Sequence, residues 1–515
     1  SNALNMRARA KAVRIENLIR PFSDVPLTGW FESENEIRGT LDNPYVQGHV
    51  HLYDGAYNGK LISDAKADYT LENKTLTLPK FTIQGYGAVI QGAGTMSEDA
   101  LNIDLEGKDI DIGRLLVNTD YDVKGYVQAK GHIGGSLYNP NFNGSVTSNF
   151  LTINGEGSTN ISGTLYADKT VVNLEKFEFD EEQGGHYMAR AGMSTVGDKR
   201  LFGTLQVTNG RVSNLLSLLG KPVDKLDGSL SGTVDLGGTY GNPSLNVVGS
   251  IKDVTIDTKV VGDAKIDASL ENRKFKIRTL KLPVDDGLIA AGGTVDLDGD
   301  ADLQIAVRDV DIEPFLPLIG DNINATGSVT GVINMTGATQ NPKVELSASL
   351  ANGSYNGIDI DQGFVLATME NHVINVQRIQ GVKEDYKLSA YGKIPLAALY
   401  TTGYLDANDS KAMDMTIDFN EADMAVIPLI TPTVKDATGA LKGVVHVTGT
   451  IDQPEAYGTV SVRNGTMKIK TVGNELKNID GDLIFSGQQA DFQSRISAGK
   501  GTAGLAAKVN WTGHT

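Results

Sequence analysis

Apolar and polar residues alternate with a period of two along most of this chain. Leu303, Ile305 and Val307 fall on one side of such a run, with Gln304, Ala306 and Arg308 on the other. Met413, Met415, Ile417 and Phe419 alternate in the same way with Asp414, Thr416 and Asp418. Successive side chains of a strand point to opposite faces, so these runs predict strands with one apolar and one wet face. A slip of one residue exchanges the faces, so the pattern alone does not say which one points inward. Asn-Gly pairs at 58, 143, 154, 209, 352, 356 and 464, and Asp-Gly pairs at 54, 227, 286, 298 and 480, punctuate the runs. They predict tight antiparallel hairpins. Four apolar patches break the alternation: Ile110 to Leu116, Val212 to Leu219, Ile312 to Ile319 and Met424 to Ile430. Each reads as a short helix, stable only when docked on the sheet. Val13 to Ile19 reads as the tail of an earlier copy of the same arrangement.

The pattern is repetitive. A Gly-x-x-x-[Asn/Gln]-Pro element occurs as Gly39 with Asn43-Pro44, Gly135 with Asn139-Pro140, Gly238 with Asn242-Pro243, Gly337 with Asn341-Pro342, and Gly449 with Gln453-Pro454. The prolines are 96, 103, 99 and 112 residues apart. Asn-Pro enforces an extended or turn backbone, Pro removes a ladder donor, and Gly permits a tight bend, so the element predicts a connection between two strands. The expected organisation is a tag remnant at 1–3, the end of a preceding repeat at 4–30, and repeats at 31–118, 119–219, 220–319, 320–430 and 431–515, the last one truncated. About eight strands per repeat are expected. No Pro-, Ser- or charge-rich spacer separates the copies, which favours one continuous elongated array over beads on a string. The predicted fold class is all-β: a repetitive antiparallel sheet curled into an open groove, with short docked helices between repeats.

Composition narrows the function. Lys and Arg number 46 against 63 Asp and Glu, a formal charge of −17, which leaves no basic face for nucleic acid. Cysteine is absent, so neither disulfides nor thiolate metal sites hold the chain. Gly at 59 of 515 residues and aromatics at 6% fit strands and turns better than helices. No apolar run approaches the ~18 residues that span a bilayer. The leading Ser1-Asn2-Ala3 resembles the scar of a removed tag, and the chain is read as a piece of a longer protein.

Catalytic motifs are missing: there is no nucleophile elbow, His-Glu-x-x-His, phosphate loop or dinucleotide fingerprint. The chain is therefore read as non-enzymatic, with no cofactor and no metal. His49 and His51 share one side of a strand and could hold a metal only if a third ligand came from elsewhere; the plainer reading is a solvated strand face. Asp296, Asp298, Asp300 and Asp302 fail calcium-loop spacing, because Gly299 comes too early and Val307 stands where the last ligand belongs, so a hairpin at Asp298-Gly299 is expected. Asp180-Glu181-Glu182 reads as a solvated loop and Asp285-Asp286-Gly287 as a turn.

An apolar strand face has to be covered. Either it seals against itself as a core, or it lines an open trough completed by the acyl chains of lipids. Small residues such as Ala290-Ala291-Gly292-Gly293 and Gly504-Leu505-Ala506-Ala507 fit both readings. Two Trp, Trp30 and Trp511, argue against a carbohydrate-binding array, which needs aromatic platforms.

The repeated Gly-x-x-x-Asn-Pro element with a further Gly shortly after it (Gly48, Gly144, Gly458), the apolar patch before each new copy, and the phrases around Gly92-Ala93-Gly94, Gly292-Gly293 and Gly392 resemble the AsmA-like superfamily, and within it the TamB branch. The third copy departs from the pattern, with its next glycine at Gly249, and the last carries Gln453 for Asn. The resemblance implies a β-taco lined with apolar side chains and an inner-membrane anchor outside this chain. It also implies periplasmic location and phospholipid, or another acyl-chain lipid, carried toward the outer membrane with a BamA-like barrel as partner. The groove candidates are one alternating face including Leu303, Ile305, Val307, Met413, Met415, Ile417 and Phe419. Gly39, Pro44, Gly135, Pro140, Gly238, Pro243, Gly337, Pro342, Gly449 and Pro454 are structural turn residues. The alternative is a closed β array that acts in outer-membrane protein assembly by binding protein.

Overall fold

The computed structural model describes residues 3–21, 25–85, 87–116, 121–182, 184–218, 225–319, 324–355, 358–384, 386–398, 411–430, 433–470, 475–498 and 501–511. The fold is all-β, with 31 strands and only short helical turns among the described residues. Its pairing is antiparallel, in an open sheet not closed into a barrel. By internal contacts the chain divides into two units, residues 1–252 with 269–272, and residues 253–268 with 273–515. The expected repeat limits at 118, 219 and 430/431, the tag residues Ser1 and Asn2, Leu219 of the second apolar patch and the Asn356-Gly357 pair lie outside the described residues or at their margins.

The first unit begins with β1 (Ala3–Arg14), a short helix α1 (Ile15–Ile19), β2 (Leu27–Thr40), β3 (Pro44–Tyr57), β4 (Lys60–Glu72), β5 (Thr75–Gly85), β6 (Ala88–Met96), β7 (Leu101–Asp111) and β8 (Val123–Gly135). Each strand pairs with the next, and the ladder continues strand by strand to Leu226–Thr239. In the second unit the same succession runs from Lys274–Val284 to Gly501–Asn510. One exception interrupts it: the strand Val434–Thr438 leaves the main row and pairs with the far half of Pro454–Ile469.

Among the described residues the first two copies hold six strands each, Leu27–Asp111 and Val123–Arg211, rather than the eight expected. The strands of these copies run to 14 residues and absorb more of each repeat than short hairpins would. The apolar patches are the helical segments Ile112–Leu115, Val212–Leu218, Glu313–Phe315 with Leu316–Ile319, and Met424–Val426 with Ile427–Ile430; α1 occupies the same place at the start. A carboxylate meets the free amides at several of these helix starts. Asp111 accepts from the Arg114 amide at 3.2 Å, Asp311 from Glu313 at 3.1 Å and Asp423 from Ala425 at 2.8 Å.

Just before three of the helices the strand bulges at a left-handed residue: Asp109, Asn209 and Asp309, with φ of 50°, 52° and 50°. The register slips at the same places, between Gly107 and Ile110, Val207 and Gly210, and Val307 and Val310. This corrects the reading of the Asn-Gly and Asp-Gly pairs as hairpin turns. Asn58-Gly59, Asn154-Gly155, Asp286-Gly287 and Asp298-Gly299 do lie at hairpin connections. Asp54, Asn209, Asn352 and Asn464 instead sit inside strands at positive φ, while Asn143 and Asp480 lie within strands and Asp227 near the start of one. Asn and Asp tolerate the left-handed region in a bulge as well as in a turn, and the dipeptide does not distinguish the two.

The repeated Gly-Pro element has a clear physical basis. Gly39, Gly135, Gly238, Gly337 and Gly449 all take positive φ, 96°, 85°, 75°, 84° and 80°. Pro44, Pro140 and Pro454 each open a strand, where a missing amide hydrogen costs no ladder bond. The Asn before the Pro reaches the next hairpin turn: Asn43 Nδ2 donates to Asn73 Oδ1 (3.0 Å), Asn242 to Asn272 (2.7 Å) and Asn341 to Asn371 (2.9 Å). Asn73-Lys74, Asn272-Arg273 and Asn371-His372 are two-residue turns with both φ positive, so a side-chain amide clamps neighbouring connections together. Asn43→Ala and Asn341→Ala are each expected to cost about 0.5–1 kcal/mol, read as a lowered urea midpoint at unchanged slope.

The second copy uses another device at this turn. The Asp168 carboxylate accepts from the Thr170 hydroxyl and amide, both at 2.7 Å, from the Val171 amide at 3.0 Å and from the Tyr166 hydroxyl at 2.9 Å. These donors, the Thr170 hydroxyl foremost, hold its pKa at about 2. A depressed carboxylate stabilises the fold above its unfolded value near 3.8 and loses that contribution as pH falls toward 2. Asp168→Asn should therefore flatten the acid limb of a stability–pH profile in that window.

Candidate functional site

Antiparallel pairing sets residues directly opposite each other on the same face, so cross-strand rows can be followed through the ladder. In the first unit one row passes from Phe31 through Leu52, Ala65, Ile83, Ile90 and Gly107. It continues through Ala129, Val146, Gly163, Phe177, Ala189 and Leu205 to Val234. No polar side chain interrupts it. In the second unit Leu280, Ala291, Ile305, Ile333, Leu346, Ala367, Val376, Gly392 and Met415 form one such row. A second links Val307 through Gly331, Ala348, Val365, Ile379 and Ala390 to Ile417. The ladder thus brings two of the separately recognised alternating sets onto one face, while Leu303 lies opposite Met335 and Met413 opposite Gly449.

This face is incompletely covered. Leu303, Ile305, Val307, Met413, Met415, Ile417 and Phe419 are all half-buried. In Lys343–Tyr355 the apolar positions Val344, Leu346, Ala348 and Leu350 are half-buried and their neighbours exposed, where a sandwich core would show full burial. On the apolar face of the first unit, Ile15 of α1, Phe31 of β2, Leu52 of β3, Ala67 of β4, Phe81 of β5, Leu105 of β7 and Ile133 of β8 line a single cavity of about 510 Å³.

Glycines on the apolar face of the first unit are not simply vacant space. A Cβ at Gly92 would lie 2.3 Å from Phe81 Cζ, and one at Gly131 would lie 2.6 Å from Phe142 Cε2. At these places a phenyl ring from the neighbouring strand lies over the glycine, so the small residues seat rings as well as open the trough.

The face is sealed in two places. Ala88, Ile110, Val127, Leu151 and Ile161 form a buried cluster against Ile112 of a short helix. A larger one near the end of the second unit gathers Met424, Val434, Ala437, Leu441, Val445, Val460, Val462 and Ile479, with Phe419 packed against it.

The opposite face is charged. One row reads Arg9, Glu34, His49, Asp68 and Lys80, with Arg9 to Glu34 at 2.7 Å and His49 Nδ1 to Asp68 at 2.8 Å. His51 Nε2 pairs with Asp64 at 2.7 Å, and a hydrogen bond from Lys66 holds the Asp64 carboxyl below its usual range. The two histidines therefore serve as partners of strand aspartates, and no cluster of metal-binding side chains occurs among the described residues. Asp298 is bound by Arg273, with Nη2 to Oδ1 at 2.9 Å, in the hairpin that the spacing indicated.

Glu181 corrects the reading of Asp180-Glu181-Glu182 as a solvated loop. It ends the strand Val171–Glu181 and is only 4% exposed. It accepts from the Tyr187 hydroxyl at 2.5 Å and from the Arg211 amide at 3.1 Å. Strand alternation sends adjacent acids to opposite faces, so Asp180 meets His186 on the wet side at 2.6 Å while Glu181 turns in. Burial pushes the Tyr187 hydroxyl well above its usual pKa.

No helix among the described residues is long and apolar enough to cross a membrane. No protein-family profile matches the chain, and no curated protein sequence is significantly similar to it.

Proposed function

We propose that this chain is a section of a non-enzymatic periplasmic conduit that carries phospholipid, or another acyl-chain lipid, along an apolar β-groove toward the outer membrane. The observation that carries this reading is the set of long apolar rows, in register from strand to strand, of which Ile305, Ile333, Leu346 and Met415 are only half-buried although Ala367 and Val376 of the same row are covered. About 25 cal/mol per Å² of hydrocarbon covered holds acyl chains on such a face without specific polar contacts, so head-group selectivity is weak. The resemblance to the AsmA-like superfamily and its TamB branch supports the same reading, together with inner-membrane anchoring outside this chain and a BamA-like barrel partner. Native mass spectrometry of gently purified protein is expected to find bound phospholipid. Ile305→Asp with Leu346→Asp, which flank Ile333 in one row, should remove it from the second unit while the circular dichroism of the sheet persists. A lipid-free protein that also ignores added phospholipid contradicts the proposal.

The second reading, a closed array acting in outer-membrane protein assembly, draws on the sealed cluster around Met424 and Val445. It requires that sealing to extend along the rows, which the half-buried positions of Lys343–Tyr355 argue against.

A further inference from the structure

The first copy breaks the apolar face at a single place, and the other copies show what that place otherwise holds. Four residues before the repeated glycine stand Asn35, Gly131, Val234, Ile333 and Val445, and six before it stand Ser33, Ala129, Gly232, Gly331 and Gly443. The rungs agree: Asn35, Gly48 and Tyr69 face one another in the first copy, against Gly131, Gly144 and Leu165 in the second and Ile333, Leu346 and Ala367 in the fourth.

These polar groups are joined. The Tyr69 hydroxyl donates to Asn35 Oδ1 at 2.8 Å, and Asn35 Nδ2 donates to Ser33 Oγ at 3.2 Å. Gly48 makes room for them, since a Cβ there would lie 2.2 Å from Asn35 Oδ1. Burial raises the Tyr69 pKa, so the hydroxyl keeps its proton and its role as donor. Ser33 is 6% exposed and pairs across the ladder with Val50, which lines the 510 Å³ cavity. Among the described residues, no acceptor is found for the Ser33 hydroxyl hydrogen or for the second amide hydrogen of Asn35. Two donors at the margin of a hydrocarbon-lined trough call for a ligand that is apolar but carries acceptor oxygens.

The geometry points to a hydrogen-bonding station in the trough of the first copy, formed by Ser33, Asn35 and Tyr69, that takes the ester carbonyl of an acyl lipid. The inference rests on the conduit reading and adds to it a place where the linkage, not the chain, is recognised. Acyl chains meet apolar residues or glycine at the corresponding rungs of the second and fourth copies, and pause in the first.

The test compares phosphatidylcholine carrying ester-linked oleoyl chains with its ether-linked counterpart, which has the same head group and chains but no carbonyl. Retention of each by the 515-residue chain is measured from mixed micelles. The wild type should retain the ester lipid about three- to tenfold better, the worth of one or two net hydrogen bonds. Asn35→Val with Tyr69→Phe, which substitutes the valine of the third and fifth copies, should bring the ratio to one and leave ether-lipid retention unchanged. Should that pair fail to fold, Tyr69→Phe alone removes one oxygen and should lower the ratio. Equal retention of both lipids by the wild type overturns the station and leaves the conduit standing. Retention of neither overturns both. A cluster with a purely structural role would shift the melting temperatures of the variants and leave the wild-type ratio at one, which also overturns the proposal.

Discussion

Val445→Asp should unfold the end of the second unit, whereas Ile305→Asp should leave a folded protein. Both residues are apolar strand positions on the same face, and neither sequence context predicts the difference. Val445 is 3% exposed and belongs to the cluster with Met424, Val460 and Ile479, so a carboxylate there has no water and no cation to meet. An unpaired buried charge of this kind costs about 4 kcal/mol or more, enough to exceed a marginal local stability. Ile305 is half-buried, and its replacement forfeits about 1–2 kcal/mol of burial while the new charge remains solvated. Urea denaturation followed by Trp511 fluorescence reads the first change directly, because the Trp511 indole packs beside Phe485 and donates to the Pro454 carbonyl at 2.8 Å within the sealed region. Equal destabilisation at the two sites would mean that the face is closed throughout.

Tyr187→Ala is the second substitution with a large expected effect, about 3–5 kcal/mol. The ring is 2% exposed and stacks on Phe179 with centroids 4.7 Å apart. Its hydroxyl also satisfies Glu181, whose other oxygen holds the Arg211 amide ahead of the helix Val212–Leu218. Removing the ring therefore leaves a cavity and a buried carboxylate short of one donor. Tyr187→Phe separates the two contributions, because it keeps the stack and loses only the hydroxyl, at about 1–2 kcal/mol. Chemical denaturation of the two variants side by side gives the division; a Tyr187→Phe protein as unstable as Tyr187→Ala would place the whole effect on the Glu181 contact.

Much of the fold was legible because its signals are local. Period-two alternation gave the strands around Ile305 and Ile417, and the loss of alternation gave the short helices, whose positions the structure reproduces from Ile112 to Ile430. The repeated Gly and Pro were visible because only glycine takes the positive φ of that bend cheaply and only a strand start tolerates proline. Other features depend on partners distant in sequence. Asn43 and Asn73 are thirty residues apart, and nothing local marks them as bonded, although the recurrence of the same pair at Asn242 and Asn341 could have suggested it. Charge alone marks the run Asp180-Glu181-Glu182 as solvated, whereas strand alternation separates Asp180 and Glu181 between two faces. Asn35 and Tyr69 carry no local signal, because each is an ordinary strand residue. They stand out only once the copies are aligned by their rungs and the polar pair is seen where the others carry Gly, Leu, Ile or Ala.

The most direct test of the central claim, that one face of the sheet is left open for hydrocarbon, is photo-crosslinking with a reactive side chain placed alternately on the two faces. The probe would stand at Ile305, Leu346 and Ala65, and separately at Gln304, Glu345 and Asp64, with the protein purified in the presence of isotope-labelled phospholipid. Crosslinks to lipid at the first three positions and none at their neighbours are the predicted result. Labelling that ignores the alternation, or an absence of lipid adducts at all six, would contradict it.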